Sequence, residues 1–588
     1  MSTARSFSIM VGRPLQTPGK AANPPARRGY TLDRGRPAVR RRLGNGRSAM
    51  PMSGGRSRAP DESVCECPWQ QDASRMEYDD IIVGGGSAGA VLAARLSEEP
   101  ARSVLVVEAG PDYATLESTP DDLRDGWRMS LREHDWKLTA EAVPGRAIPY
   151  PRGRVMGGSS AVNATIALRG VPADYDEWAA LGNDAWSWAK VLPHFRRLED
   201  DPEGPDDLHG RGGPISIRRW RRDELIPTQR AFFEVCRRLG FAEVADHNHP
   251  EAAGVGPFPQ NRRDRLRLST AIAYLLPARR RHNLTIRSEC LVSRVLLEGQ
   301  RAVGLEVRSG AQPERVFGRR ITLAAGAIGS PAILMRSGIG PTAMLLGLGI
   351  EPVVELAGVG VGLMDHPVTR LLLVPRPGSC DPRTPLAQVV VRYTAPGSGE
   401  INDMQLVMFS HVDVAGIGGP QAVAKVGTPL AIGLPVALER PHARGRLELV
   451  STDPRAQPLI QLNFATDPQD LRRLVEGVRL AWQIAHQPEI ARHTHHVALL
   501  TEETMGSDDA LAAYVRATVS TQFHPSGTAR MGPPGDPMAV VDQHCRVRAI
   551  PNLRVVDASV MPSIPRANIN LTCIMIGEHV SDWMRDEA

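Results

Sequence analysis

At 588 residues, with 42% hydrophobic and 23% charged side chains, the chain is too long for one core and too ordinary in composition to be fibrous or a disulfide scaffold. Its seven cysteines are odd in number and scattered, which fits a reducing, cytoplasmic setting. The net charge of +5 is small, and the longest apolar stretch, residues 338–356, is broken by Gly340, Pro341, Gly347 and Gly349, so neither nucleic-acid binding nor a membrane span is expected.

Residues 1–75 carry 13 Arg and one Lys against five acids and are rich in Pro, Gly and Ser, so this basic arm buries too little apolar surface to order itself. A targeting segment, an anion-binding arm or a start codon set too early would each give such a stretch; Met76, directly before the first strand-like run, favours the last. Tyr78 to Val83 reads as a short apolar strand, Gly84 to Gly89 as a glycine turn, Ala90 to Leu96 as the start of a helix and Val104 to Val107 as a second strand. Gly84, Gly86 and Gly89 satisfy GxGxxG, with Ser87 and Ala88 between them. Glu108 ends the second strand 22 residues after Gly86, where a dinucleotide fold places the acid that holds a ribose hydroxyl. Gly85 to Gly89 also match GxSxG, the nucleophile elbow of an α/β-hydrolase with Ser87 as nucleophile and His524 in the triad. That reading leaves Glu108 without a role and lacks a preceding oxyanion segment.

A second glycine cluster follows, Gly153-Arg154-Val155-Met156-Gly157-Gly158-Ser159-Ser160-Ala161-Val162-Asn163, whose small residues let backbone approach a ligand closely. Residues 172–250, with Trp178, Trp186, Trp188 and Phe195, read as a partly helical insertion. Short β-like runs at Thr285 to Arg287, Ser293 to Leu296 and Ile321 to Leu323 suggest a small antiparallel sheet. Residues 366–465 alternate apolar runs with Pro and Gly, as in a second sheet, and Asp470 to His486 has helical spacing. His247 with His249, the group His493, His495 and His496, and the pair Cys65 and Cys67 lack the spacing that completes a metal site, so no metal is expected.

The second glycine cluster resembles the first signature of the glucose-methanol-choline (GMC) oxidoreductases, and Gly326-Ala327-Ile328-Gly329-Ser330-Pro331 through Gly340 resembles the second. Gly358-Val359-Gly360 with Asp365-His366-Pro367, then His524-Pro525-Ser526-Gly527-Thr528, and Leu553 to Ser559 leading to Asn568-Ile569-Asn570 extend the resemblance from Tyr78 to the C-terminus. It implies an α/β fold: a Rossmann-like FAD-binding domain, discontinuous in sequence (76–171, 251–345 and 521–588), with a helical insertion at 172–250 and a sheet-plus-helix substrate domain at 346–520.

The resemblance also implies a flavin contacted by Gly84, Gly86, Ser87, Ala88, Gly89, Glu108, Arg154, Gly157, Gly158, Ser159, Asn163, Val292, Asp557, Ala558 and Asn570. FAD should be non-covalent, because Val162 stands where some relatives carry the attaching histidine. His524 matches the family's catalytic histidine and Asn568 the position of its His or Asn partner. The implied reaction oxidises a small-molecule alcohol to an aldehyde or ketone, with His524 as base and flavin N5 as hydride acceptor, and an oxygen, quinone or dye-like acceptor closing the cycle. Some members of this fold class are lyases that hold FAD without redox turnover, which keeps a non-redox reading open. A choline-type substrate would call for an aromatic or acidic cage, and residues 366–520 offer few aromatics.

Overall fold

The computed structural model describes residues 77–310 and 312–587; the basic arm, its Cys65 and Cys67 pair and the Met76 start lie outside the described residues. Strand β1 (Tyr78–Val83), helix α1 (Gly89–Leu96) and strand β2 (Val104–Val107) form the anticipated unit, with every β2 residue buried. Strands buried on both faces read as unbroken apolar runs, and Val104-Leu105-Val106-Val107 is such a run.

Strand β3 (Leu284–Arg287) pairs in parallel with β2, so Thr285 to Arg287 belong to the central sheet rather than to the small antiparallel one predicted. Parallel partners can be far apart in sequence, and a four-residue run carries no sign of which it will take. Strands β4 (Leu291–Glu298), β5 (Arg301–Arg308) and β6 (Glu314–Leu323) do form an antiparallel meander. The far end of β6 continues into the central sheet, pairing in parallel with β1, and is followed by α2 (Gly326–Arg336).

A second, antiparallel sheet is built around β7 (Pro367–Pro375), β8 (Val389–Tyr393), β9 (Met404–Val407) and β10 (Leu430–Leu438) in the order β7-β10-β9-β8. Helix α3 (Pro468–Ala485) packs on one face through Leu474, Val478 and Ala481. The strand Thr494–Ala498, which follows the short helix Pro488–Ala491, extends the sheet beside β7. On β7 the side chains alternate as a pleat requires: Leu371 and Leu373 are core, while Val368 and Arg370 line a cavity.

The chain then returns to the first sheet, where β11 (Ile550–Val555) pairs in parallel with β6, and ends in α4 (Asn570–Asp586) against α1. Gly577 of α4 permits that packing, since a Cβ there would sit 2.9 Å from the Ala88 carbonyl. Residues 172–250, anticipated as a partly helical insertion, contain helices Pro172–Ala180, Trp188–Leu198 and Pro227–Arg238. Among the described residues no helix is long and apolar enough to cross a membrane.

Candidate active site

A cavity of about 600 Å³ runs from the first glycine turn to the second sheet. At its nucleotide-fold end, Gly84 has φ +96°, and a Cβ there would meet the Ala324 carbonyl oxygen at 2.5 Å. The two glycine clusters lie back to back. The Gly157 N–H donates to the Gly85 carbonyl at 2.8 Å, and a Cβ on Gly158 would fall 2.8 Å from the Gly86 Cα. Glu108 braces this turn, its carboxylate accepting the Gly85 N–H at 2.9 Å and the Gly110 N–H at 2.8 Å. Burial pushes that carboxyl up in spite of these bonds.

Ser87 donates its hydroxyl to Asn570 Oδ1 at 2.9 Å, so it is engaged by an amide and not by an imidazole, which leaves the nucleophile-elbow arrangement unassembled. Asp557 accepts from the Gly326 N–H at 2.8 Å and from the Ser330 hydroxyl at 2.6 Å, tying the start of α2 to the turn after β11. Gly84, Gly86, Ser87, Ala88, Glu108, Gly158, Ser159, Asn163, Val292, Asp557, Ala558, Asn568 and Asn570 all line the cavity. Three anticipated contacts lie outside its lining. Gly89 is a packing residue whose Cβ would stand 2.0 Å from the Gly84 carbonyl oxygen, and Gly157 faces Ala271 and Ala161. Arg154 is exposed, with its guanidinium 5.2 Å from the centre of the Trp136 ring.

At the other end stands His524. The preceding Phe523 is held at φ +69°, and its loop is fixed from three sides. Asp365 Oδ1 accepts the His524 N–H at 2.9 Å, while Oδ2 accepts the Tyr150 and Thr521 hydroxyls, each at 2.6 Å. Arg152 donates to the Phe523 carbonyl at 2.6 Å. The His524 ring lies between His366, with the Nδ1 atoms 2.9 Å apart, and Asn568, whose Nδ2 is 3.3 Å from His524 Nε2. With the Asn568 amide donating, Nε2 holds the lone pair and Nδ1–H points to His366.

Burial, then His366 and Arg152, hold the His524 imidazole well below its ordinary pKa, so it is a neutral base at physiological pH. Behind it, His366 Nδ1 lies 3.3 Å from Glu439 Oε2. Burial pulls His366 down to about 3 and pushes Glu439 up to about 8, so at neutral pH this is contact between uncharged groups rather than an ion pair.

The site fits an extended dinucleotide cofactor. The cradle has no room for a Cβ at Gly158, the cavity continues from it to His524, and the buried Asn570 Nδ2 and Asn568 Oδ1 have no hydrogen-bond partner among the described residues.

Comparison with known proteins decides the family. Residues 78–368 and 441–577 match the two family models described as GMC oxidoreductase. The chain is a GMC oxidoreductase. It is 34% identical over 507 residues to an uncharacterized GMC-type oxidoreductase of Rhodococcus erythropolis, covering 86% of this chain and 97% of that one. An oxygen-dependent choline dehydrogenase of Brucella anthropi is 35% identical over 533 residues, covering 86% and 95%. Among solved structures, pyridoxine 4-oxidase from Mesorbium loti superposes with a TM-score of 0.79 at 33% identity, covering 87% of this GMC oxidoreductase and 99% of that chain. A formate oxidase superposes at 0.77 with 25% identity, covering 87% and 99%. These four relatives cover 86–87% of the chain, and the first family-model match begins at Tyr78. Asp365, His366, Tyr150, Arg152 and Glu439 were not among the predicted site residues; Asp365 and His366 stood in a quoted motif, but only strand pairing brings them to His524.

Proposed function

We propose that this GMC oxidoreductase binds FAD non-covalently and oxidises an alcohol to a carbonyl compound, with His524 as the base. The observation that carries the reading is the neutral His524 imidazole, buried at the end of a cavity that begins in a dinucleotide cradle. Bound FAD supplies the two-electron sink that a hydride from a carbinol carbon requires. Gly84, Gly86 and Gly158 would let backbone approach its phosphates, Glu108 would hold the ribose end, and Val162, with no nucleophilic atom, would form no bond to the ring.

His524 Nε2 takes the hydroxyl proton as the C–H bond is broken, and Asn568 donates to the substrate oxygen as negative charge develops there. His366 and the Asp365–Tyr150–Thr521 group hold the imidazole in place. Relatives named oxygen-dependent dehydrogenases and oxidases support oxygen as the electron acceptor, with a quinone or dye as its substitute.

The test is anaerobic addition of a panel of alcohols to the purified yellow protein while the flavin band is watched. Bleaching is expected with at least one alcohol, and His524→Ala should slow it by roughly a hundredfold with FAD retained. A flavin band that no alcohol bleaches would favour the non-redox reading, and an unchanged rate in His524→Ala would remove the histidine from the mechanism.

A further inference from the structure

Among the described residues, the only acidic side chains lining the cavity are Glu108 and Asp557, both part of the nucleotide fold. The second sheet presents Val368, Arg370, Gln405, Val407 and Pro435 to the cavity, of which Arg370 alone is charged. Among the described residues its guanidinium donates no hydrogen bond and meets no carboxylate; its one electrostatic neighbour there is the Tyr514 phenol, which donates to the Arg370 carbonyl at 3.3 Å. Of the other cavity cations, Lys137 and Arg455 are exposed to solvent, and the two that are not are committed. Arg152 is bonded to the Pro151 and Phe523 carbonyls, and Arg336 donates to the Ser293 carbonyl. An arginine stays charged even in a desolvated site, and a half-buried guanidinium without a partner is an expensive arrangement that a carboxylate would relieve.

We propose that the substrate is an anionic alcohol whose carboxylate or equivalent group is seated on Arg370. This rests on the alcohol-oxidation reading for the other end of the molecule. Strand register sets its length. His366, which touches His524, immediately precedes β7 and lies four residues before Arg370, so at about 3.3 Å per residue of extended chain their Cα atoms are at most ~13 Å apart. Arg370 pairs with Pro435 and Val368 with Ala437, so Val368 and Pro435 offer an apolar surface between the two ends. A two-carbon hydroxy acid cannot reach both; an aryl or medium-chain hydroxy acid can. The same geometry disfavours a quaternary ammonium alcohol, which would face a cation and no carboxylate.

The experiment pairs 4-(hydroxymethyl)benzoate with its uncharged amide as substrates, and benzoate with benzamide as non-oxidisable probes read by perturbation of the flavin spectrum. The holoenzyme should bind benzoate roughly tenfold or more tightly than benzamide, and the hydroxy acid should bleach the flavin at correspondingly lower concentration than its amide. Arg370→Met should erase both preferences without loss of FAD, and Arg370→Lys should restore part of them. Equal binding of benzoate and benzamide, or an unchanged preference in Arg370→Met, would overturn the anion site. If benzoate binds through Arg370 but neither alcohol bleaches the flavin, the anion site stands and the oxidation reading falls. If both alcohols bleach it equally well, the reverse holds.

Discussion

His524 is poised by what surrounds it rather than by what it is. Because its pKa is lowered, first by burial and then by His366 and Arg152, the imidazole is already unprotonated at neutral pH. The acid limb of kcat/KM should therefore fall below the ordinary histidine value of about 6.5. A limb at or above that value would show that the bound cofactor reverses the shift. Asp365 is the positioning residue: Asp365→Ala leaves the Tyr150 and Thr521 hydroxyls and the His524 N–H unpaired, at a cost of about 1–3 kcal/mol each. Turnover should drop and the melting temperature with it, while flavin content is retained; unchanged turnover would mean that Arg152 alone holds the loop. His524 and Asn568 were legible in sequence because a tunable base and an amide donor stood in signature-like segments. Glu439 was not, since nothing in its neighbourhood announces that folding sets it beside His366.

Glycine spacing was the most readable feature at the scale of elements, and the structure gives each position its own reason. Gly158→Ala places a methyl 2.8 Å from the Gly86 Cα and pushes the two cradle segments apart, so FAD content should fall steeply with little change in far-UV circular dichroism. Gly89→Ala instead drives a methyl to 2.0 Å from the Gly84 carbonyl oxygen inside the first helical turn, which should destabilise the fold by about 1–3 kcal/mol as well as weaken FAD. If Gly158→Ala lowered stability as much as Gly89→Ala, the division between cradle and packing positions would be wrong. What sequence could not supply is strand order. Leu284–Arg287 lies next to Val104–Val107 across nearly two hundred residues, and Arg154, a cofactor contact by resemblance, stacks on Trp136, which lines the cavity.

Across the whole molecule, the insertion is held by a buried ionic cluster that composition alone did not foretell. Glu199 meets Arg169 and His209, Asp201 meets His209 at 3.0 Å and Arg219 at 2.8 Å, and Asp246 meets Arg219 at 2.6 Å and His209 at 2.9 Å. Glu199, Asp201 and His209 are close enough to resemble a metal site, but with two arginines present the imidazole works as a double donor and has no lone pair for a cation. Burial alone would lower the His209 pKa; its carboxylate partners outweigh it and raise the group to about 10. A folded pKa above the unfolded value of about 6.5 stabilises fully below that pH and is lost as pH rises through 10. Asp201 and Asp246 are held below the ordinary carboxylate range by His209 and Arg219 against the opposing effect of burial, so their contribution is complete above about pH 4 and lost in acid. Glu439, raised to about 8 by burial, lowers stability between about pH 4.5 and 8 and then no further. Any slope of melting temperature between pH 8 and 10 that His209→Gln abolishes therefore belongs to this cluster. A slope that survives the substitution would assign alkaline unfolding to other groups and leave His209 a neutral hydrogen-bonding residue.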